Sequence, residues 1–391
     1  MGLVEIGAVD MAKVHSGENT RSFKEVVRPD AAAPRAPTVA HRGAPSKPEE
    51  VDLGPLTKLL GRWEGKGTGW NMIALPFKDS PAPPPPMPGG FNFRVLMNQY
   101  DEELVFDFVD ENVPNRGLLR PPETEFDQLV STLDYQQKIA QVAVEDKPPS
   151  NDAGGVNAPI HHEPGLWLYM RNLRSGDIQG EINIARLASI PHGNSVLALG
   201  FSEEHEGMPE IPPVSGLPIG RFEDLSNGGH DVNSPDATAS GTTDPAQPDP
   251  YLDPFRHYID NPFTGNVTTA GFPGFTPADM NNLLRVANQG VQIERTTVLT
   301  IDTTRHNGGV SNAPFAAREA EPVSMKSTFW IQELKKQGPK GEPRMRLQYS
   351  QVVMLDFFNP REDELPGRAQ WPHISIATLE KTPGGYDMKP G

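Results

Sequence analysis

Residues 370–381, QWPHISIATLEK, form an apolar strand that indicates both a β fold and a candidate site around its histidine. Side chains on a strand point alternately to opposite faces, so His373, Ser375 and Ala377 share one face. A bulky imidazole followed by two small side chains leaves a slot beside the ring, which a flat molecule could fill. The alternative is a core histidine hydrogen-bonded to a backbone carbonyl.

The composition of the 391-residue chain favours a full core together with long irregular segments. Length alone allows two or three average domains, or one domain with long insertions. The chain holds 37 glycines and 42 prolines, about a fifth of all residues, which is high for a compact domain. It has no cysteine, so disulfides, thiolate ligands and covalent haem attachment are excluded.

The net charge of −16 opposes binding to phosphate backbones and to anionic lipid. Most of the acidity is regional, because residues 201–260 hold 12 acidic and two basic side chains. The N-terminal sequence MGLVEIGAVDMAKVHSGENT lacks the basic and apolar regions of a secretion signal. No stretch reaches the roughly 18 apolar residues of a membrane-spanning helix. We therefore predict a cytoplasmic protein that binds neither nucleic acid nor membrane.

Short segments with alternating apolar and polar residues dominate the chain, and no long helical period separates them. We predict strands at 92–99, 103–109, 126–134, 137–144, 166–171, 181–188, 195–201, 291–302, 323–333, 344–355 and 373–380, in addition to RWEGKGTGW at 62–70. Closing such strands on one another removes exposed edges and encloses a cavity. We predict an all-β fold, an antiparallel up-and-down barrel of about ten strands with long loop insertions and one short helix. A β-sandwich is the second choice.

Three other segments complete the predicted organisation around a single barrel domain at residues 53–391. Residues 1–52, rich in alanine, proline and charge, predict an N-terminal arm, and a long arm of this kind favours a homodimer. Residues 203–275, acidic and rich in proline and glycine, predict an insertion that serves as a lid or an interface. One helix is predicted at 277–289, with Thr276 as its N-cap.

The stretch LGPLTKLLGRWEGKGTGW, residues 53–70, resembles the opening of the nitrobindin-like haem-binding barrels, which are relatives of the fatty-acid-binding proteins. APIHHEPGLWL and INIARLASIPHGNSVLALG match in the middle of the chain, and HISIATLEK matches at its end. The last match is shifted, since Ile376 stands at the family's usual alanine. The resemblance covers residues 53–202 and 291–381. Family barrels are less than half this length, so the family's fold transfers more readily than its activity.

The resemblance implies that His373 is the proximal ligand of a non-covalent haem b. Trp371, Tyr349, Ala377 and Thr68 are the other residues expected to contact the cofactor. Ordinary core packing is the alternative for Tyr349. A neutral imidazole binds haem iron through one nitrogen and needs an acceptor for its other N–H.

The resemblance also implies peroxynitrite isomerisation and nitric oxide chemistry, so the expected ligands are small diatomic or peroxide-type molecules. His161 and His192 are the distal candidates, as acid or base toward bound peroxide. The alternative for both is a surface or turn position. An isomerase-like or peroxidase-like activity follows from the haem interpretation.

Two other classes of function are compatible with the sequence. A haem-free barrel could bind or isomerise an apolar organic molecule, with the insertion as its lid. An interaction protein could use the arm and the acidic segment for oligomer contacts around a filled barrel. The haem-free barrel predicts a colourless protein that tolerates His373→Ala.

Overall fold

The computed structural model describes residues 53–76, 93–115, 128–150, 153–171, 182–190, 192–218, 253–337, 343–357 and 370–382. The predicted arm at 1–52 lies outside these residues. The strands are β1 (Gly61–Pro76), β2 (Phe93–Asn115), β3 (Gln128–Lys147), β4 (Pro159–Arg171), β5 (Ile184–Ile190), β6 (Asn194–Glu206), β7 (Ile293–Asp302), β8 (Gly309–Asn312), β9 (Ala320–Gln337), β10 (Pro343–Phe357) and β11 (Gln370–Lys381). The helical segments are a 3-10 helix (Gly54–Leu59), α1 (Asp253–Asp260), α2 (Asn282–Asn288) and α3 (Pro314–Glu319).

Ten of the strands form a closed antiparallel barrel, which confirms the predicted fold class. Hydrogen-bonded neighbours run in the order β5-β4-β3-β2-β1-β11-β10-β9-β7-β6, and pairing of β5 with β6 closes the ring. The short strand β8 pairs with the first residues of β6. Since β1 lies between β2 and β11, the first and last strands are neighbours in the wall.

Two pairs of predicted strands merge into longer ones. The predicted segments 92–99 and 103–109 both belong to β2, and 126–134 and 137–144 both belong to β3. The polar residues Asp101 and Glu102 read as a turn in the sequence, but they pair with Ala140 and Ile139 of β3 and continue the ladder.

The barrel interior is filled with apolar side chains at the end covered by the 3-10 helix. Leu56 and Leu59 of this helix are fully buried and belong to the interior core. Trp63 packs beneath them and donates from Nε1 to the carbonyl of Leu59 at 2.7 Å. The interior core also contains Leu104, Phe106, Leu133, Trp167, Leu299, Phe329, Ile331, Leu347 and Leu379. We call this region the closed end.

A second apolar cluster lies on the outer wall, against the described parts of the segment between β6 and β7. Trp70, Met97, Trp330 and Ile376 contribute from the strands. The covering segment supplies Ile211, Leu217, Phe255, Tyr258, Phe263, Phe275, Met280, Leu283 and Leu284. The predicted insertion therefore packs, where described, on the outside of the barrel wall.

The helical content differs from the single predicted helix. The described residues contain three α-helices of six to eight residues, too short to show a helical period in the sequence. The helix predicted at 277–289 begins at Asn282. Before it, the amides of Asp279 and Asn282 bond to the carbonyls three residues earlier, so the chain forms turns there.

Candidate functional site

His373 points into the barrel from the first half of β11, opposite the closed end. It pairs with Val353 of β10, and Ser375 pairs with Gln351 on the same inner face. Their outward-facing neighbours Ile374 and Ile376 are 0% exposed, whereas His373 and Ser375 keep accessible surface. A strand that is more buried on its outer face than on its inner face borders free space inside the barrel. We call this region the histidine end.

The imidazole of His373 is neutral at physiological pH. Burial, with smaller contributions from His161 and His192, lowers its pKa to about 4. No hydrogen bond joins the ring to any of the residues that the structure describes. The ring nitrogens are thus available to a ligand, and the alternative of a core histidine bonded to a backbone carbonyl finds no partner within the described residues.

His161 lies near His373 and is oriented by a buried carboxylate. Its Nε2 lies 3.1 Å from Oε2 of Glu163, two residues along β4. Burial alone would raise the pKa of Glu163, but Arg186 and His161 outweigh it and hold that pKa at about 2. Because the carboxylate is ionised and can only accept, Nε2 of His161 carries the proton, and Nδ1 is the remaining site.

His192 completes the group of three histidines. Its ring centroid lies 5.8 Å from that of His161, and it occupies the turn between β5 and β6 on the exposed surface. Burial and the neighbouring His161 lower its pKa. The structure therefore brings the predicted ligand His373 and both predicted distal residues to one end of the barrel. His162, which follows His161, is exposed on the opposite face.

Arg186 of β5 is a functional candidate that the sequence analysis missed. The residue is 2% exposed, and its guanidinium pairs with Glu163. It also donates to the hydroxyl of Tyr135 and to Oε1 of Gln351, both at 2.8 Å. The guanidinium faces the rings of Tyr135, Trp167 and Phe329 at 5.1 to 5.9 Å. A charged residue at an inward position of IARLASI was the available signal.

A chain of side-chain hydrogen bonds crosses the inner wall beside His373. Ser375 donates to Oδ1 of Asn71 at 3.3 Å, and Asn71 donates to Oδ1 of Asn98 at 3.2 Å. Asn98 in turn donates to Gln141, which donates to the carbonyl of Gly155 at 3.0 Å. Polar groups therefore line this part of the interior, in contrast to the closed end.

The predicted slot beside His373 ends at Ala377. This residue is buried and pairs with Tyr349 of β10 and Gly69 of β1. The hydroxyl of Tyr349 lies 2.9 Å from that of Tyr100, so the two rings fill the space next to the small side chain. Tyr349 and Ala377 thus belong to the floor beneath the free space. Burial raises the pKa of both tyrosines well above the usual value.

Two predicted cofactor contacts lie away from the histidine end of the interior. Trp371 belongs to the outer cluster and packs on Phe93, with ring centroids 4.5 Å apart. Its partner Leu355 on β10 lies there too, and the pairing of β11 with β1 ends at Ile374, before Trp371. Thr68 is exposed and donates to the carbonyl of Thr378 at 2.6 Å. Contacts of Trp371 and Thr68 with a cofactor therefore stay predictions.

Two further features are absent from the described residues. Within the described segments, no group of three or more histidine, aspartate or glutamate side chains is arranged to hold a metal ion. Among the same segments, no helix is long and apolar enough to cross a membrane.

No protein-family model matches this chain, and no curated protein matches it. Among solved structures, the chain is similar to the crystal structure of Rv2717c from M. tuberculosis, with 13% identity over 85% of this chain and 99% of that one and a TM-score of 0.30. A similarity of this size carries no argument about function. The ten-stranded barrel is compatible with a calycin-like fold. What the site can bind follows from the geometry of its own side chains.

Proposed function

We propose that the histidine end of the barrel holds a non-covalent haem b, that His373 would be the residue that binds its iron, and that the protein acts on small reactive ligands. The observation that carries the proposal is the imidazole of His373, which is neutral, directed inward and free of hydrogen bonds to the described residues. A neutral imidazole with an accessible nitrogen is the form that binds haem iron.

The donor set fits this cofactor better than a bare metal ion. Haem brings four ring nitrogens and needs one protein ligand, whereas a bare ion needs several protein ligands, and no cluster of three is found in the described residues. When bound, haem would supply an iron centre at which a diatomic or peroxide-type molecule can coordinate. The remaining chemistry falls to the chain's own side chains.

His161 is the residue best suited to move a proton at this end of the barrel. Glu163 accepts from Nε2 and fixes the ring, which leaves Nδ1 to accept or donate a proton. Arg186 balances the charge of Glu163, so the carboxylate stays ionised and does not take the proton from His161. A peroxide-type ligand within reach of Nδ1 would have an oriented acid or base beside it.

Visible absorption of the purified protein tests the cofactor directly, before and after addition of haemin. We expect a Soret band in the wild-type protein, and its loss or shift in His373→Ala. The matched control is His162→Ala, because His162 lies on β4 but faces outward. An unchanged band in His373→Ala, or no band after reconstitution, would refute haem binding through His373.

The same proteins test the haem-free alternative. A colourless wild-type protein that binds a fluorescent fatty-acid analogue, with equal affinity in His373→Ala, would favour a carrier of apolar molecules.

A further inference from the structure

Glu102 is a buried carboxyl in the barrel floor that the proposed function does not use. It lies on β2, is 1% exposed and forms no ion pair within the described residues. Gln137 of β3 donates to its Oε1 at 2.7 Å and to the hydroxyl of Tyr349 at 3.3 Å. The hydroxyl of Tyr349 lies 2.8 Å from Oε2 of Glu102.

The hydroxyls continue from Glu102 to the backbone of β11. Tyr349 contacts Tyr100 at 2.9 Å, and the hydroxyl of Tyr100 lies 3.0 Å from the carbonyl oxygen of Ile376. Three oxygen–oxygen contacts thus join four groups in a row. A carbonyl oxygen can only accept, so Tyr100 must donate to Ile376 if that contact is a hydrogen bond.

The number of hydrogens available for these three contacts determines the protonation state of Glu102. Each tyrosine hydroxyl has one hydrogen, so the two tyrosines supply two hydrogens for three contacts. If Tyr100 donates to Ile376, Tyr349 must donate to Tyr100, and the third hydrogen has to come from Glu102. The complete chain therefore requires the neutral carboxylic acid.

Gly69 is the reason that Tyr100 can reach β11 across β1. A Cβ atom at Gly69 would lie 1.9 Å from the ring of Tyr100. The pairing of β1 with β11 and with β2 is also irregular just before Gly69. The ring passes over this glycine to the carbonyl of Ile376, three residues from His373 on the same strand.

We propose that Glu102 is a proton-binding site inside the barrel, and that loss of its proton reverses the hydroxyl chain and releases the carbonyl of Ile376. Glu102 gives its proton to solvent. Tyr349 then turns its hydrogen from Tyr100 to the carboxylate, and Tyr100 turns its hydrogen from Ile376 to Tyr349. Only the O–H bond of Glu102 breaks, and the strand that carries His373 loses one hydrogen bond.

The electrostatic surroundings agree with this assignment. Burial, opposed by the bonds from Gln137 and Tyr349 and by the charges of His161 and Arg186, raises the pKa of Glu102 to about 7. The titratable and charged groups that face it are Tyr100 on its own strand, Tyr349 of β10, His161 of β4 and Arg186 of β5. Their balance puts the reversal within the physiological pH range.

Infrared spectroscopy and NMR of the protein without haem test the proposal independently of cofactor binding. The infrared difference between wild-type protein and Glu102→Gln at about pH 5 should contain the C=O stretch of a neutral carboxylic acid, which should vanish toward about pH 9. The backbone ¹⁵N of Ala377, which is bonded to the carbonyl carbon of Ile376, should titrate with the same midpoint.

Glu102→Gln and Tyr100→Phe should both abolish the titration at Ala377, and Tyr100→Phe should retain the carboxylic acid band. Absence of the band at about pH 5 would refute a neutral Glu102. A wild-type Ala377 that does not titrate, or one that still titrates in Tyr100→Phe, would refute the reversal. Tyr100→Phe keeps the test informative if Glu102→Gln does not fold.

Discussion

Leu379 and His373 stand on the same inner face of β11 and have opposite surroundings. Leu379 is 0% exposed at the closed end, among apolar side chains beneath the 3-10 helix. His373 keeps accessible surface at the histidine end, beside a chain of serine and amide groups. The difference indicates that one half of the interior supplies stability, while the other half gives up close packing to keep space and polar groups.

Removing the positive charge that neutralises Glu163 at the histidine end should have the largest effect on the free energy of unfolding. Arg186→Met leaves the ionised Glu163 buried without its partner, so we expect a loss of about 3–5 kcal/mol in the free energy of unfolding, measured in urea. The control is Arg62→Met, whose exposed pairs with Glu64 and Glu103 should be worth less than about 1 kcal/mol. Equal losses in both variants would mean that Glu163 finds another partner.

Substitutions on β11 compare the two halves directly. Leu379→Ala should lower the free energy of unfolding by about 2–5 kcal/mol, because it opens a cavity in a filled core. His373→Ala should cost less than about 1 kcal/mol, because the ring already borders free space. Urea unfolding of the two variants measures the contrast, and a cost at His373 as large as that at Leu379 would place His373 in a packed core.

The pH dependence of the free energy of unfolding reports on Glu102, which lies in the floor between the two halves of the interior. Burial raises the pKa of Glu102 from 4.5 to about 7, so the folded protein binds this proton more tightly than the unfolded chain. Glu102 therefore contributes at most about 3 kcal/mol to the free energy of unfolding. This contribution is fully present below about pH 4.5 and is lost as the pH rises through about 7.

Glu102→Gln should remove this loss, so that the variant gains stability relative to wild type between about pH 5 and about pH 8. Thermal unfolding of both proteins at several pH values gives the difference. Other titrating groups, including His373 with its lowered pKa, cancel in the comparison. Parallel curves for the two proteins would contradict the raised pKa.

Gly69→Ala should have a smaller effect, about 1–3 kcal/mol, because the new methyl group would overlap the ring of Tyr100. In a Tyr100→Ala background the same substitution should cost less, which a double-mutant cycle measures. Gly155→Ala is the control, since no atom lies within 4 Å of a Cβ at that position. No coupling between Gly69 and Tyr100 would contradict their close approach.

The sequence predicts the barrel and the inward position of His373, because both follow from the alternation of side chains along strands. Alternation also separates His161 from His162. The partners that make Glu102, Glu163 and Arg186 tolerable in the interior come from other strands, so single segments do not reveal them. Asp101 and Glu102 therefore resemble a turn, although they continue β2.

Trp371 and Thr68 illustrate a different limit. Thr68 lies in the irregular stretch of β1 before Gly69, and Trp371 lies beyond Ile374, where the pairing of β11 with β1 ends. Such irregularities depend on the neighbouring strands and have no periodic signal in the sequence. The amide chain from Ser375 to Gln141 is hidden for the same reason, since its four members lie on four strands.

The pairing of β1 with β11 has a consequence for the order of folding. Gly69 and Ala377 are partners in the wall although about 300 residues separate them, and contacts of such long sequence separation form slowly. Until β11 docks, β1 and β10 both present open edges, which invite association with other chains. The same docking event brings His373 into place. A ligand of His373 would therefore bind only the closed barrel and would draw the folding equilibrium toward it.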